Sequence, residues 1–294
     1  MRLRAAALGL TLLALAAGAC GGEDGESATS LLDRGFASDV ETGRLTFEAE
    51  VTLNGVPRLG GPLRLELEGP FRSRGPTRLP DLDMSFRATG MGDGVEGQIV
   101  LLPENAWIEY GGETYEVGEE LWSRAQEALN SDEGPGSFAD AKVDPLNWVT
   151  DLQTGDEREV GGVRATQVTG ELDVERMLAA FNDVAGKGER LSQATLDQID
   201  DYVQPVEFEA WIGKDDIWRR LTAQTDFEVP QDERDSVGGL SGGHVSLDMI
   251  LEDPNEPVEI EGRDSGRPIS ELLSELGIPP ESLLGPGFAV PEPG

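Results

Sequence analysis

Alternating apolar and polar residues run through most of the chain and predict an antiparallel sheet. In residues 44–53 (RLTFEAEVTL), Leu45, Phe47 and Val51 fall on one face, and charged residues and threonines fall on the other. The same period of two recurs in residues 63–71, 82–88, 95–102, 105–110 and 113–117. With Gly111-Gly112 as a hairpin turn, these segments predict a meander of six strands with no helix between them.

A helical section follows the six strands. Residues 118–130 carry apolar side chains at helical spacing, and Asp144-Pro145 is typical of a helix start, which predicts a second helix over 144–152. Two further helices are predicted over 174–185, after a capping Asp173, and over 193–203, after a capping Ser192.

Five more strands are predicted among these helices. One hairpin covers 157–172 and turns on Gly161-Gly162, and three strands over 206–212, 218–229 and 244–252 close the domain. The predicted strands outnumber the helices by about eleven to four, and the helices interrupt the sheet segments rather than alternate with them. The sequence therefore predicts an antiparallel α+β fold in which helices cover the apolar face of a long meander.

The first twenty residues are typical of an export signal. Two arginines precede the uncharged run 5–19, which is about 15 residues long and so shorter than the roughly 20 that a membrane-spanning helix needs. Small residues then lead to Cys20, which is the only cysteine and cannot close an intramolecular disulfide. The pattern resembles a bacterial lipobox, with Ala17 where leucine is usual, and implies acylation of Cys20. The alternative is an ordinary secretory signal cut after residue 19.

The rest of the chain divides into a tether, one domain and a tail. Residues 21–30 are rich in Gly, Glu, Asp, Ser and Thr, so we expect residues 20–30 to form a lipidated cysteine and a flexible tether. We expect residues 31–262 to fold as one β-rich domain. Residues 263–294 carry a short amphipathic helix near 269–276, then Pro- and Gly-rich sequence that either packs as a flap or stays disordered.

Charge and motifs argue against several functions. A formal net charge of −34 disfavours binding to nucleic acid, which depends on Lys and Arg contacts to phosphates. The sequence has no G-x-S-x-G nucleophile motif and no calcium-binding loop, and its one histidine, His244, falls on the polar side of its predicted strand. We therefore predict neither an enzyme nor a site for a metal or cofactor.

The chain has apolar inward-facing surface in excess, and periodicity leaves two interpretations open. Either these side chains fill a closed core, or a curved sheet leaves a gap beneath the helices. The residues concerned are Phe47, Val51, Leu65, Leu67, Met84, Phe86, Ile99, Leu101, Ile108, Trp122, Leu129, Met177, Leu178, Phe181, Phe208, Ile212, Leu221 and Phe227.

Five segments, taken in order, resemble the LppX/LprG family of actinobacterial envelope lipoproteins, which is related in fold to the LolA and LolB carriers. The last segment ends in a D-x-N-x-P pattern formed by Asp253, Asn255 and Pro257. The segments are GRLTFEAEVTL, AWIEYGGETYEVGEELW, DPLNWVTDLQTGDEREVGGVRATQVTGELDVERML, VEFEAWIGKDDIWRRLTAQTDF and HVSLDMILEDPNEPVEIE.

The resemblance implies a half-barrel of about eleven strands, covered on its concave face by helices, with an apolar cavity that accepts acyl chains. The residues collected above then become candidates for a lipid pocket. The implied protein is a monomer that binds lipid or lipoglycan and carries or presents it across the envelope, held by diacylglycerol on the extracytoplasmic side of the cell membrane. The resemblance leaves room for a membrane transporter as a partner. The alternatives are an envelope sensor or regulator, and a structural lipoprotein with a filled core.

Overall fold

The structure is a computed structural model that describes residues 27–56, 61–75, 78–90, 94–129, 145–184, 202–235 and 237–278. The helices are α1 (Ala28–Ala37), α2 (Glu119–Leu129), α3 (Val174–Val184) and α4 (Ile269–Leu276), with a 3-10 turn at Pro145–Trp148. The strands are β1 (Thr42–Asn54), β2 (Leu63–Arg72), β3 (Asp81–Thr89), β4 (Val95–Leu101), β5 (Ala106–Tyr110), β6 (Glu113–Glu116), β7 (Val149–Val160), β8 (Val163–Leu172), β9 (Val206–Gly213), β10 (Trp218–Glu228), β11 (Gly242–Glu252) and β12 (Arg267–Pro268).

The twelve strands form one curved, unclosed sheet in the order β12-β6-β5-β4-β3-β2-β1-β11-β10-β9-β8-β7. Neighbouring strands are antiparallel except for β6 and β12. The predicted α+β class is confirmed, with twelve strands where about eleven were expected.

The strand register sorts side chains onto two faces of contrasting chemistry, because successive residues point to opposite sides. On what we call the inner face, Phe47 stands opposite Met249 and Leu67. On the outer face, Glu48 stands opposite Asp248. The inner face therefore collects the apolar residues and the outer face the charged ones.

Helix α1 covers the inner face at the β7–β9 end of the sheet. The hydroxyl of Ser27 accepts a hydrogen bond from the backbone N–H of Ser30 and caps the helix. Helix α1 buries Leu32 completely against Val168 and Ile212. We call the buried set the α1 cluster; its members are Ala28, Leu31, Leu32, Val168, Phe208, Ala210 and Ile212.

Residues 258–276 wrap around the opposite edge of the sheet. Ile260 packs on Val100 and Trp107 of the outer face. The chain then pairs with edge strand β6 through β12, and α4 buries Leu272 against Tyr115 on the inner face. We call residues 258–276 the C-terminal clasp. The helix expected near 269–276 is thus present and packed, and the remainder of the expected tail, 279–294, lies outside the described residues.

The structure corrects one predicted helix and shifts one boundary. The helix expected over 144–152 is a single 3-10 turn, and β7 begins at Val149 rather than at 157, because Val149 pairs with Leu172 and the N–H of Asp173 donates to the carbonyl of Trp148. Helix α1 begins at Ala28, inside the segment expected to be a tether. Residues 193–201 of another expected helix lie outside the described residues.

The hairpin turn at Gly161-Gly162 is as predicted. Asp173 caps α3 as predicted, since its carboxylate accepts the N–H of Arg176 at 2.9 Å. In the part of the chain that the structure describes, no helix is long and apolar enough to cross a membrane.

Candidate functional site

The predicted pocket residues that lie in strands all share the inner face. Strand pairing places Phe227 of β10 and Val51 of β1 on the same face of the sheet. The pairing of β1 with β2, and of each following strand with the next as far as β5, places the other strand residues on that face too. Their burial differs, however. Ile212 and Phe208 are buried at the α1 end, whereas most of the others are half-buried and Leu65 is exposed.

The predicted pocket residues on helices are more scattered. Trp122 is buried, and its indole N–H donates to the carbonyl of Leu102 at 2.7 Å, which is typical of a packed core residue. Met177 and Leu178 are half-buried on α3, which contacts the 3-10 turn. The side chains of Leu129 and Phe181, and the whole of Cys20, lie outside the described residues.

One row of residues crosses the inner face at right angles to the strands, and its exposed members lie from its β4 end to β11. Val95, Leu65 and Leu247 in this row are 41%, 37% and 40% exposed. Together they form an exposed apolar surface between the two covered ends of the sheet. We call the set the open row; from β4 to β9 its members are Val95, Ala88, Leu65, Ala49, Leu247, Ala223 and Phe208.

The open row is long and has no polar side chains. Seven strands contribute to it, and six spacings of about 4.8 Å give a length of about 29 Å along the sheet. All its side chains are hydrocarbon, so none donates or accepts a hydrogen bond. A ligand that lies along this row gains from apolar contact and from nothing else.

Two phenylalanine rings lie low over the inner face because they pack on glycines of neighbouring strands. A Cβ added to Gly97 would be 2.7 Å from Cζ of Phe86, and one added to Gly243 would be 2.7 Å from the ring of Phe227. The rings therefore extend along the sheet instead of standing on it.

Sequence reasoning missed Gly97, Gly243, Ala49, Leu247 and Val95 as parts of this site. Each of these residues is part of the site because of the residue that it pairs with on a neighbouring strand. The sequence of its own strand does not set it apart from other inner-face residues. The two glycines and Ala49 carry little or no side chain of their own. The signal that could have found them is the pairing of strands, not the apolar period.

Two hollows formed by described residues of the outer face are charged. One of about 860 Å³ lies over β2 to β5 and is lined by residues such as Glu66, Arg87 and Gln98. Another of about 430 Å³ includes Arg220 and Asp248, whose side chains form two hydrogen bonds of 2.9 and 2.5 Å. The bond to Asp248 raises the pKa of Arg220 above its ordinary value. The lining of the larger hollow includes Val95 of the open row, and that of the smaller one includes Ala49, Leu65, Ala223 and Leu247. Charged side chains surround both hollows, however, and disfavour acyl chains there.

Two features that the sequence singled out have structural roles. His244 lies on the outer face with Nδ1 3.0 Å from Oδ1 of Asp226, as its predicted polar position requires. Asn255, from the D-x-N-x-P pattern, accepts the N–H of Glu41 at 2.8 Å, and its own N–H donates to the carbonyl of Thr42 at 2.8 Å. These hydrogen bonds thus connect the segment after β11 to the start of β1. Among the described residues, no group of three or more side chains could hold a metal ion.

No family model and no curated protein matches this chain. Three solved structures with a similar fold are the lipoprotein LppX of Mycobacterium tuberculosis, LprF of Mycobacterium bovis and a LolA superfamily protein of Nitrosomonas europaea. Their identities to this chain are 12%, 13% and 11%, and their TM-scores are 0.41, 0.40 and 0.22. The matches cover 80%, 81% and 82% of this chain and 98%, 99% and 99% of those chains. At these identities the likeness concerns the fold alone, and it assigns neither a family nor a role to this chain.

Proposed function

We propose that this protein binds the acyl chains of a lipid or lipoglycan on its inner face and carries or presents the lipid across the cell envelope. The observation that carries the proposal is the open row. It is an uncharged band with three exposed apolar side chains, in a protein whose formal net charge is −34. Such a contiguous apolar surface marks an interaction site more often than a surface that only water contacts.

The chemistry of the open row favours an acyl chain over an extended peptide. A peptide laid across these side chains would bring its backbone N–H and C=O groups against hydrocarbon, and each group left unpaired costs roughly 1–3 kcal/mol. An acyl chain has no such groups. It contributes about 25 cal/mol for each Å² of apolar surface that leaves water, on both partners.

Membrane attachment through Cys20 completes the proposal. Seven residues, 20–26, precede Ser27 and can span at most about 25 Å. A diacylglycerol thioether at Cys20 would therefore hold α1, and the inner face beneath it, close to the membrane surface on the extracytoplasmic side. The role needs no catalysis, and we propose none.

Extraction of the purified mature chain tests the proposal directly. Residues 21–294, which include every described residue, are expressed in the native host, extracted with organic solvent and examined by mass spectrometry. We expect acyl lipid in the extract and a higher melting temperature when lipid is added back. An extract free of acyl lipid, together with an unchanged melting temperature, would instead support a structural lipoprotein with a filled core.

A matched pair of variants tests whether the lipid binds to the inner face. Leu247→Asn introduces an amide side chain into the open row, and Ser246→Asn introduces the same amide at the next residue, which points to the outer face. We expect Leu247→Asn to weaken binding of the fluorescent fatty acid cis-parinaric acid at least about tenfold, and Ser246→Asn to leave it unchanged. Equal effects of the two variants would exclude the open row as the binding surface.

Transfer assays separate a carrier from an envelope sensor. A carrier speeds the exchange of labelled lipid between donor and acceptor vesicles, and the rate rises with protein concentration. A protein that binds lipid in the extraction experiment but leaves this exchange rate unchanged would fit the sensor alternative instead.

A further inference from the structure

We propose that the open row fixes the direction in which an acyl chain binds, with its methyl end at Phe208 and its head group leaving at Val95. We further propose that Ala49 and Ala223 determine specificity, because they leave the room that the chain occupies. Both statements rest on the proposed function above, since they assign an orientation and an admitted ligand shape to the same face.

The β9 end of the row is closed. Phe208 is only 9% exposed and belongs to the α1 cluster together with Leu31 and Leu32 of the helix above it. Water is excluded there, and the surrounding side chains are hydrocarbon. A charged or hydroxylated head group at this end would lose its hydration without gaining a partner, whereas a methyl terminus loses nothing.

The β4 end of the row is open. Strand β5 ends at Tyr110, which stands opposite Gly97, so no described residue of β5 stands opposite Val95. The hairpin residues Gly111 and Gly112 that follow are exposed. A head group that leaves the row at Val95 therefore remains in water, which fixes the direction of the chain.

Small residues alternate with large ones along the row. Ala49 stands between Leu65 and Leu247, and Ala223 stands between Leu247 and Phe208. Each alanine leaves a dip beside its larger neighbours, and successive dips allow a flexible chain to lie against the sheet. A leucine at either position would fill the dip and hold the acyl chain away from the apolar side chains that it contacts.

Site-specific quenching tests the direction. The mature chain without Cys20 has no other cysteine, so single-cysteine variants can be labelled without background. Glu96→Cys and Glu207→Cys place a fluorophore on the outer face directly beside Val95 and Phe208, outside the row. The probes are stearic acids that carry a nitroxide either near the carboxyl group or near the methyl end.

The quenching pattern should reverse between the two labels. At Glu207→Cys we expect the methyl-end nitroxide to quench at least about twofold more than the carboxyl-end nitroxide, and at Glu96→Cys we expect the opposite order. The same order at both labels, or the reverse of the expected one, would overturn the direction.

Substitution of the alanines tests specificity. We expect Ala49→Leu to weaken binding of cis-parinaric acid at least about tenfold, while Ala49→Gly, which keeps the position small and apolar, changes it less than about threefold. The melting temperature of each variant shows whether it folds. If Ala49→Leu fails to fold, Ala223→Leu with Ala223→Gly as its control makes the same test.

Unchanged affinity in a folded leucine variant would overturn the specificity role. The failure of this inference and that of the proposed function give different results. If the unsubstituted mature chain binds neither cis-parinaric nor stearic acid, the proposed function fails. If it binds them without the quenching reversal or without an effect of the alanines, only the present inference fails.

Discussion

The two ends of the inner face are both closed by buried apolar clusters, but they differ in how many charged groups take part. At the α1 end, Leu32 and Val168 are fully buried in an apolar cluster. At the clasp end, α4 also buries leucines, but Arg267 lies 5.2 Å above the ring of Tyr115 and pairs with Glu275 at 2.9 Å. The first end adds to its buried cluster an ion pair between Arg34 of α1 and Asp216, at 2.8 Å. At the second end, charged groups that stand partly in water contact the buried Tyr115 itself, so we expect salt and pH to act more strongly there.

Helix length does not distinguish the two covers. Helix α1 has ten residues and α4 has eight, and isolated helices of either length are unstable in water, so each depends on its contacts with the sheet. Because the contacts of α4 include more charged groups that stand partly in water, we expect the clasp to move first.

Truncation within the α1 cluster should produce the largest loss of stability. Leu32→Ala removes a completely buried side chain, and we expect it to lower the free energy of unfolding by about 3 kcal/mol, measured by urea denaturation. Asp33→Ala, on the exposed side of the same helix, is the control and should change it by less than about 0.5 kcal/mol. A loss below about 1 kcal/mol for Leu32→Ala would mean that burial does not hold this end.

The outer part of the clasp should show a middle-sized effect. Arg263 bridges Asp83, at 3.5 Å, and Glu109, and these groups are only partly exposed. Because its removal leaves Asp83 without its cation, we expect Arg263→Ala to cost about 1–2 kcal/mol by the same measurement.

Arg87→Ala is the matched control for Arg263→Ala. Its ion pair with Glu96, at 3.2 Å, lies on the same face but is far more exposed, so its loss should cost less than about 0.5 kcal/mol. Equal losses in the two variants would show that Arg263 does not hold the clasp.

Much of the sheet could be predicted because each strand carries its own alternating pattern. The helix expected over 144–152 was wrong because Asp144-Pro145 is a local signal, whereas Val149 is held in a strand by Leu172, more than twenty residues further along the chain. A local start signal was thus overridden by pairing with a distant segment.

The open row could not be predicted for the same reason. Its exposure depends on the alignment of Leu247 with Ala49, almost two hundred residues apart, and on where α1 and α4 end above the sheet. The apolar period identifies the inner face, but it cannot show which part of that face remains uncovered. Trp122 illustrates the limit: its helical spacing was recognised, but its hydrogen bond to the carbonyl of Leu102 was not.

The inner part of the clasp should respond to salt. Arg267 pairs with Glu271 and Glu275, and all three side chains are partly exposed, so we expect Arg267→Gln to cost less than about 1 kcal/mol. Hydrogen exchange should be faster in α4 than in the unsubstituted protein, and α1 should not change. High salt should speed exchange in α4 of the unsubstituted protein and have less effect on the variant.

Arg124→Gln is the control, because its ion pair with Glu120 is exposed and lies in α2. It should leave exchange in α4 unchanged. Faster exchange in α1 and α4 alike after Arg267→Gln would contradict a difference between the two ends.

Tyr115→Phe should have the smallest effect at neutral pH and a distinct one in alkali. Burial, followed by the hydrogen bond to Glu275, raises the pKa of Tyr115 above its ordinary value of 10.0. The unfolded chain therefore ionises first, so this group's contribution to stability is complete below about pH 10 and is lost as pH rises through the raised value. Phenylalanine has no such proton, so Tyr115→Phe should lose less stability than the unsubstituted protein between about pH 9 and 11, with Tyr110→Phe as the control. Parallel losses in all three proteins over that range would show that the ionisation of Tyr115 does not affect the stability of the clasp end.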